Sequence, residues 1–330
     1  MTKRVEIYGA GISGLVAAIQ LARQGFEVHL FDREERIGGN QIWHPSIQTT
    51  NLNLDKTSQY IEIELKNLFH PINNIIFYRY GRRSTFSLPD MYACERGPRE
   101  KSLDFALGKL ASDVGVIFHP GVEFSKRLSS HNASTIVATG LNIESYQELG
   151  IPYVLIKGYR ALTKTNLNSI LFTYMSKCTN YDFAYIAATN ELLFCLLFSR
   201  GMISDRNLSQ LKILLKDTEK IEFNNWEYSH GALPKEPHLF WGDWILTGTL
   251  SGMIDPYLLH GISGAMISGK IAALAVSDPS KAEVEFQWFS KNFLIKKCLK
   301  SVSSRLPLKR FSVPAMMWID NHLHGVGFVK

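Results

Sequence analysis

Cysteine is scarce in this sequence of 330 residues, and its four copies lie far apart. They are Cys94, Cys178, Cys195 and Cys298. None belongs to a Cys-x-x-Cys pair, so their spacing argues against a disulfide framework and against a structural zinc site. The neighbouring His322 and His324 lack an evident third ligand, and we therefore expect no metal site.

Long apolar runs are also missing. A membrane-spanning helix needs roughly 18–20 consecutive apolar residues, and the nearest candidate, residues 184–198, is interrupted by Asn190 and Glu191. The N-terminus leads directly into an apolar strand pattern, so we expect no signal peptide. The location predicted from these absences is cytoplasmic or, alternatively, peripheral to a membrane.

The net charge is small and unevenly distributed. The 36 Lys and Arg exceed the 30 Asp and Glu by six. Residues 281–330 hold nine basic and three acidic side chains, so residues 1–280 carry no net charge. A neutral body argues against nucleic acid as a partner. The basic segment is predicted to be helical; it either packs on the body or docks to an anionic lipid surface or an acidic carrier protein.

The most informative pattern lies at the N-terminus. Residues 5–8 alternate as in a strand, and residues 9–14 read Gly-Ala-Gly-Ile-Ser-Gly. Apolar residues then recur at helical spacing as far as Gly25, and a second strand pattern ends at Asp32. This order is the complete fingerprint of a dinucleotide-binding unit: a strand, a GxGxxG turn, a helix, and a second strand that ends in a carboxylate.

Each position of the fingerprint has a physical task. Gly9 permits the tight turn, Gly11 lets the backbone approach a pyrophosphate, and Gly14 lets the helix pack closely on the sheet. The helix N-terminus, which includes Ser13, offers unpaired N–H groups and the positive end of its dipole to phosphates. Asp32 can accept hydrogen bonds from the hydroxyls of an adenosine ribose.

The residues after Asp32 indicate which dinucleotide binds. Arg33 follows the acid directly, and the pair Gly38-Gly39 comes shortly afterwards. An acid followed by a Gly-Gly pair resembles the flavoprotein version of the fingerprint. This resemblance favours FAD over NAD as the cofactor.

A second segment resembles another flavoprotein motif. Residues 134–140 are predicted to form a strand that ends in Ala138, Thr139 and Gly140. In flavoproteins the chain passes the cofactor again at such a motif. By itself, the pattern also fits an ordinary strand and turn.

A third segment combines a strand, a Gly-rich loop and a helix over residues 244–273. The loop contains Gly248 and Asp255, and the helix begins near Gly261 and Ile262. A helix N-terminus there could direct N–H groups at a flavin ring oxygen. Close packing of a helix over a sheet would also explain the small residues of this helix.

Together these segments resemble the superfamily of FAD-dependent geranylgeranyl reductases, aromatic hydroxylases, flavin halogenases and lycopene cyclases. Arg96 and the helix pattern over residues 102–116 resemble the geranylgeranyl reductase branch most closely. The resemblance covers about residues 1–45, 91–140 and 240–275. It implies that FAD is the cofactor, and it adds Arg96 and Val122 to the candidate cofactor-binding residues.

The resemblance also implies the fold. We expect an α/β protein in which a Rossmann-like FAD-binding domain of three-layer ββα architecture is interleaved with an antiparallel-sheet substrate domain and followed by a helical tail. The expected ranges are 1–45, 91–140 and 240–280 for the FAD-binding domain, 46–90 and 141–239 for the substrate domain, and 281–330 for the tail.

Within the substrate domain, two hairpins and a helix are predicted. Residues 75–80 and 84–88 would form the first hairpin. Residues 182–188 and 191–198 would form the second, with its turn at Thr189-Asn190. Residues 208–215 have helical spacing.

The sequence departs from the family at two places. Thr249 stands where the family usually has an Asp that contacts the ribityl chain of FAD, and the motif Tyr-x-Trp-x-Phe-Pro of isoprenoid reductases is missing. Because only one dinucleotide fingerprint is present, electrons would be exchanged with transiently bound NAD(P)H, with a ferredoxin-like carrier or with the substrate.

The leading hypothesis is an FAD-dependent reductase or dehydrogenase that transfers hydride through the flavin to or from a small apolar substrate, such as an isoprenoid, another lipid-like chain or a carrier-bound chain. His260, directly before Gly261, is the candidate for proton transfer or substrate orientation, although a packing role fits it equally. The alternatives are a non-redox flavin-dependent cyclase or isomerase, a flavin monooxygenase and, because of Thr249, an FAD-poor binding protein.

Overall fold

Three β-sheets, seven α-helices and three short 3-10 helices make up the regular structure of the described part of the chain. The structure is a computed structural model, and it describes residues 3–39, 43–79, 81–87, 90–127, 133–175, 177–179, 183–255 and 259–291. Its strands are β1 (Arg4–Tyr8), β2 (Glu27–Phe31), β3 (Ser46–Asn51), β4 (His70–Pro71), β5 (Asn74–Arg79), β6 (Arg82–Phe86), β7 (Met91–Arg96), β8 (Ile117–His119), β9 (Ser134–Val137), β10 (Tyr153–Lys164), β11 (Ile170–Met175), β12 (Phe183–Thr189), β13 (Leu192–Ser199), β14 (Glu227–Pro234), β15 (Phe240–Trp241) and β16 (Trp244–Leu246).

The helices are α1 (Ile12–Arg23), α2 (Leu54–Ile61), α3 (Leu103–Asp113), α4 (Ile143–Leu149), α5 (Asp205–Glu219), α6 (Ile262–Ser277) and α7 over residues 279–291. Among them, no helix is long and apolar enough to cross a membrane.

The first sheet is the parallel sheet that the N-terminal fingerprint predicts. Its six strands run in the order β15-β16-β9-β1-β2-β8, and all neighbours are parallel except β15 and β16. The helices α1, α3 and α6 share one apolar core with this sheet. The carboxyl ends of β1, β9 and β16 lie side by side, which is where open α/β sheets bind ligands.

The second sheet has seven strands in the order β14-β10-β13-β12-β11-β5-β6 and is antiparallel except between β5 and β11. Side chains of its strands alternate between two cores. One core packs against α5, and the other packs against a three-stranded antiparallel sheet of order β3-β7-β4. The predicted fold class, a Rossmann-like region with a separate antiparallel sheet, is confirmed.

Both predicted hairpins are present. The strands β5 and β6 pair across Gly81, and β12 pairs with β13. The second turn lies at Asn190 and Glu191, one residue later than predicted, because these two residues both adopt positive φ as a two-residue hairpin turn requires. The predicted helix at 208–215 extends to 205–219 because Ser204 and Asn207 cap its start.

The domain boundaries remain a prediction. The parallel sheet draws its strands from the ranges expected for the FAD-binding domain, and the seven-stranded sheet from those expected for the substrate domain. However, β3 pairs with β7 along their whole length, so a boundary between residues 90 and 91 separates two strands of one sheet.

Some predicted features lie outside the described residues. They are the tail beyond residue 291 with Cys298, His322 and His324, residues 256–258 of the third segment, and single residues at the hairpin ends. Cys94, Cys178 and Cys195 form no disulfide, and the described ranges contain no group of His, Cys, Asp and Glu that could hold a metal.

The helices α1 and α6 approach each other closely because α6 carries glycines at the crossing. A Cβ on Gly269 would lie 2.6 Å from the backbone oxygen of Ser13 and 2.9 Å from Cβ of Val16. A Cβ on Gly264 would overlap the backbone oxygen of Met253. The small residues of this helix therefore serve close packing along its length.

We expect Gly269→Ala to destabilise the protein by about 1–3 kcal/mol. This loss would occur although alanine is about 1 kcal/mol better than glycine in a helix. Thermal unfolding would measure it against Gly201→Ala, whose added Cβ meets only Ser199 Oγ at 3.6 Å. Equal stability of the two variants would show that the crossing can relax.

Candidate functional site

A cavity of about 360 Å³ opens at the carboxyl edge of the parallel sheet. The chain passes it at three turns, which follow β1, β9 and β16. The seven-stranded sheet covers it from the opposite side. The three segments that the sequence singled out therefore converge on one site.

The glycines of these turns have distinct roles. Gly9 has φ +111°, and a Cβ there would overlap the backbone oxygen of Ala138. Gly14 lies against the backbone oxygen of Gly9, so its missing side chain serves the packing of α1 on the turn. Gly248 has φ +66° and leaves room for the hydroxyl of Ser13. Gly11 differs, because a Cβ there would meet no protein atom within 4 Å and would project into open space.

Two helices begin at the cavity with no side chain capping them. The N-caps of α1 and α6 are Gly11 and Gly261, and neither start has a side-chain hydrogen bond to its first turn. In contrast, α2, α3 and α4 are capped by Asn53, Ser102 and Asn142. The first N–H groups of α1 and α6 thus remain available to a ligand, and both helix dipoles favour negative charge there.

Asp32 anchors the first turn. Its carboxylate accepts hydrogen bonds from the N–H of Ala10 at 2.6 Å and of Glu34 at 2.9 Å. Each oxygen retains further acceptor capacity, so the carboxylate can also accept from a ribose hydroxyl. Arg33, beside it, forms ion pairs with Glu34 and Glu123.

A buried ion pair supports the cavity from the side of β7. Arg96 binds Asp104 through Nε and Nη2 at 2.7 and 2.8 Å, and the N–H of Gly97 donates to the same carboxylate at 2.8 Å. The side chains are 11% and 1% exposed. Burial raises the pKa of Asp104, but the Arg96 guanidinium outweighs burial and holds that pKa below its ordinary value.

His260 lies at the cavity, and its Nε2 is 3.3 Å from Oγ1 of Thr49 on β3. Its backbone oxygen accepts from the N–H of Asp255 at 3.0 Å. Thr249 also lines the cavity, so a hydroxyl is present where the family usually has a carboxylate.

Apolar side chains of the seven-stranded sheet close the cavity. Tyr185 on β12 and Leu196 on β13 are direct cross-strand neighbours and face it. Ile156 on β10 and Phe198 on β13 extend the same surface. We call these four residues the roof.

The structure brings most of the predicted site residues to this cavity. Those that line it are Gly9, Gly11, Ser13, Asp32, Arg33, Gly38, Gly39, Arg96, Val122, Ala138, Thr139, Gly140, Gly248, His260, Gly261 and Ile262. Gly14 and Asp255 do not line it. Asp255 is 7% exposed and holds the loop that carries His260.

Sequence reasoning missed the residues contributed by β3, by the segment that leads into it and by the roof. Among them are His44, Gln48, Thr49, Tyr185 and Leu196. The second predicted hairpin carries three roof residues, Tyr185, Leu196 and Phe198, but its continuous apolar run does not show which of its side chains face the cavity. His44 follows the predicted site residues Gly38-Gly39 closely in the sequence, and this closeness was the one available indication that His44 lies at the site.

The site fits a dinucleotide on its own geometry. The open space above Gly11 leaves room for a phosphate at the start of α1. Asp32 stands at the end of β2, where an adenosine ribose would lie. The second uncapped helix start, at Gly261, would face the far end of such a ligand.

Comparisons with known proteins agree with this geometry. Residues 7–62 match the NAD(P)-binding Rossmann-like domain family. Flavin-containing monooxygenase FMO GS-OX4 of Arabidopsis thaliana is 41% identical over 56 residues, which are 17% of this chain and 12% of that protein. The matched curated relatives are covered over only 12–34% of their length.

Solved structures resemble the chain over its whole length. A geranylgeranyl bacteriochlorophyll reductase-like protein from Thermoplasma acidophilum superimposes with a TM-score of 0.67 at 13% identity, over 100% of this chain and 93% of that one. A 2-methyl-3-hydroxypyridine-5-carboxylic acid oxygenase superimposes with a TM-score of 0.66 at 14% identity, over 98% of this chain and 96% of that one. The predicted resemblance to geranylgeranyl reductases and aromatic hydroxylases is thus confirmed at the level of the fold.

We expect Asp104→Ala to destabilise the protein by about 3–5 kcal/mol, because it leaves the Arg96 charge buried without a partner. Denaturant unfolding would measure the loss. Asp113→Ala, at the exposed end of the same helix, is the control and should change stability by less than about 0.5 kcal/mol. A loss below about 1 kcal/mol for Asp104→Ala would contradict the structural role of the pair.

Proposed function

We propose that this chain is a flavin-dependent oxidoreductase that binds FAD in the cavity and acts on a small apolar substrate beneath the roof. The observation that carries the proposal is the convergence of two uncapped helix starts and Asp32 on one cavity with an apolar cover. The Rossmann-like family match and the flavin-containing monooxygenase relatives support FAD.

The residues of the three turns would hold the cofactor. The start of α1 at Gly11 would bind the pyrophosphate, Asp32 the adenosine ribose, and the start of α6 at Gly261 the flavin end. Thr249 would offer its hydroxyl to the ribityl chain. When bound there, FAD supplies the capacity to accept or donate a hydride.

The protein's own side chains would bind and orient the substrate. Roof residues such as Leu196 and Phe198 exclude water, which favours an apolar chain such as an isoprenoid or lipid-like or carrier-bound substrate. His260 would move a proton at Nε2 or orient the substrate, with Thr49 holding its ring. Since the described sheet contains one dinucleotide fingerprint, NAD(P)H or a ferredoxin-like carrier would exchange electrons from outside.

The comparisons favour one further candidate, a flavin monooxygenase. The curated relatives are flavin-containing monooxygenases, and one of the solved structures is an aromatic acid oxygenase. The cavity is closed by the same apolar roof in either case. The two activities differ in whether substrate turnover consumes molecular oxygen.

Purified protein should therefore be yellow and show the absorption bands of oxidised flavin. Anaerobic NAD(P)H or dithionite should bleach them, and an apolar substrate that restores the colour without oxygen would support the reductase. An apolar substrate that itself bleaches the oxidised flavin without oxygen would support the dehydrogenase. Recovery only with oxygen, together with oxygenated product, would favour the monooxygenase. Protein that takes up no added FAD would contradict both.

Gly11→Val should abolish flavin retention, because its side chain would occupy the open space at the start of α1. The fold should persist, since a Cβ at Gly11 meets no protein atom within 4 Å. The flavin absorbance per mole of protein and the circular dichroism spectrum would be measured, with Gly201→Val as the control variant. Unchanged flavin content in Gly11→Val would contradict the assignment.

We further propose that α7 docks on an anionic lipid surface. Lys281, Val284, Trp288 and Lys291 follow one another at intervals of three, four and three residues, so they share one helix face. All four are exposed, with Val284 at 68% and Trp288 at 41%. An apolar pair between two lysines suits the lipid interface, where lysines keep their charge in water.

The opposite face of α7 fixes the helix to the body. Phe286 and Phe289 are buried, and Tyr60 donates to Glu285 at 2.7 Å. Residues 292–330, which follow, contain seven basic and one acidic side chain. Their positive charge would add electrostatic attraction to anionic headgroups, in addition to the apolar contact that Val284 and Trp288 would make.

Val284→Ser with Trp288→Ser should weaken binding to vesicles of phosphatidylcholine and phosphatidylglycerol by about tenfold, which corresponds to about 1.4 kcal/mol. Sedimentation with vesicles would measure the partition, and Ile213→Ser on α5 is the matched control because Ile213 is 62% exposed elsewhere. If the unaltered protein, the double variant and Ile213→Ser all bound the vesicles equally, α7 would be rejected as the contact. Equal binding to neutral vesicles would reject the electrostatic part.

A further inference from the structure

A chain of hydrogen bonds runs along the edge of the cavity from Asp104 to His44. Asp104 binds Arg96, whose Nη1 donates to Oε1 of Gln48 at 3.5 Å. Nε2 of Gln48 lies 3.5 Å from Oγ of Ser46, and Oγ of Ser46 lies 3.2 Å from Nδ1 of His44. Arg96, Gln48, His44 and the buried Asp104 line the cavity, and Ser46 is fully buried.

The charge at one end sets the direction of the first two bonds, and it leaves the Ser46 proton available for the third. A guanidinium only donates, so the Gln48 amide must turn its oxygen to Arg96 and its nitrogen to Ser46. The Ser46 oxygen thereby accepts from Gln48, and its own proton is free to donate to Nδ1 of His44. A neutral imidazole that accepts at Nδ1 carries its proton at Nε2.

His44 is neutral over the physiological range. Burial, followed by the positive charges of Arg96 and Arg160, lowers the pKa of His44 to about 3, although the Asp104 carboxylate opposes this shift. Nε2 of His44 has no hydrogen-bond partner among the described residues, so this donor remains available to a ligand.

The position of His44 places this donor beneath the roof. Arg160, whose charge acts on the ring, is the cross-strand partner of the roof residue Leu196. The hydroxyl of Tyr185, another roof residue, donates to the backbone oxygen of Ile47 at 3.2 Å, between Ser46 and Gln48. The hydrogen-bonded segment thus lies on the side of the cavity that the substrate would occupy.

We propose that Nε2–H of His44 binds the acceptor oxygen of a carbonyl-bearing apolar substrate, and that Gln48 and Ser46 are positioning residues that hold its tautomer. The proposal rests on the proposed function, because it assigns the space beneath the roof to substrate. A neutral donor suits a carbonyl, since it orients the oxygen and adds no buried charge beneath the apolar roof.

The tautomer can be observed directly. In the flavin-loaded protein labelled with ¹⁵N-histidine, long-range proton–nitrogen correlation spectra should show His44 protonated at Nε2, with unchanged shifts from pH 5 to 8. Gln48→Leu, which breaks the chain, should produce a mixture of tautomers. A proton at Nδ1 in the unaltered protein, or titration within this range, would overturn the proposal.

Substrate recognition can be tested with acetophenone and ethylbenzene, which have similar shapes but differ by one carbonyl oxygen. Titrations followed by NMR should show acetophenone perturbing the Nε2–H resonance of His44. In His44→Phe its Kd should rise about fivefold, the effect of one neutral hydrogen bond, whereas the Kd of ethylbenzene should change less than about twofold. His70→Phe, outside the cavity, should leave both constants unchanged.

The contrary outcomes are distinct. Equal weakening of both probes, or no perturbation of His44 by acetophenone, would overturn the role of this donor. An unchanged acetophenone Kd with lowered FAD affinity would show that His44 serves the cofactor, and would also overturn it. Failure of the unaltered protein to bind FAD would refute the proposed function itself, and the tautomer measurement would still report on the hydrogen-bond chain.

Discussion

The absence of side-chain caps on α1 and α6 is the constraint on which the site depends. Both helices begin at glycine beside the same cavity, while α2, α3 and α4 begin at residues that cap their own first turns. Uncapped N–H groups need a partner other than the helix itself, and a bound anion supplies one. The parallel sheet brings the two starts together because β1 and β16, the strands that precede α1 and α6, end at the same edge.

Close packing makes this convergence possible. Gly269 lets α6 cross α1 at the backbone of Ser13, and Gly14 lets α1 lie against the turn at Gly9. The helix starts are therefore held by contacts that tolerate no added methyl group. Arg96 and Asp104 fix a second wall of the cavity, and the hydrogen bonds that radiate from this ion pair reach as far as His44.

The glycine turns and Asp32 could be predicted because their conformation is local. A residue such as Gly9, with φ +111°, must be glycine whatever surrounds it. The carboxylate at the end of β2 likewise follows from the strand and helix lengths. The predicted hairpin turn was displaced by one residue, because the choice between Thr189-Asn190 and Asn190-Glu191 depends on the strand register. Register is set by which side chains face a core.

The amino-acid pattern alone determined the Rossmann-like unit, the three segments that meet at the cavity and the uneven charge of the C-terminal segment. Only the tertiary structure decided which residues of β3 and the roof line the site, that Arg96 is paired with Asp104, and that Asp255 lies away from the cavity. The contact between the roof and β3 joins residues far apart in the chain, since Tyr185 donates to the backbone oxygen of Ile47. Periodicity and spacing describe neighbours along the chain, whereas long-range packing settles which distant side chains share a cavity.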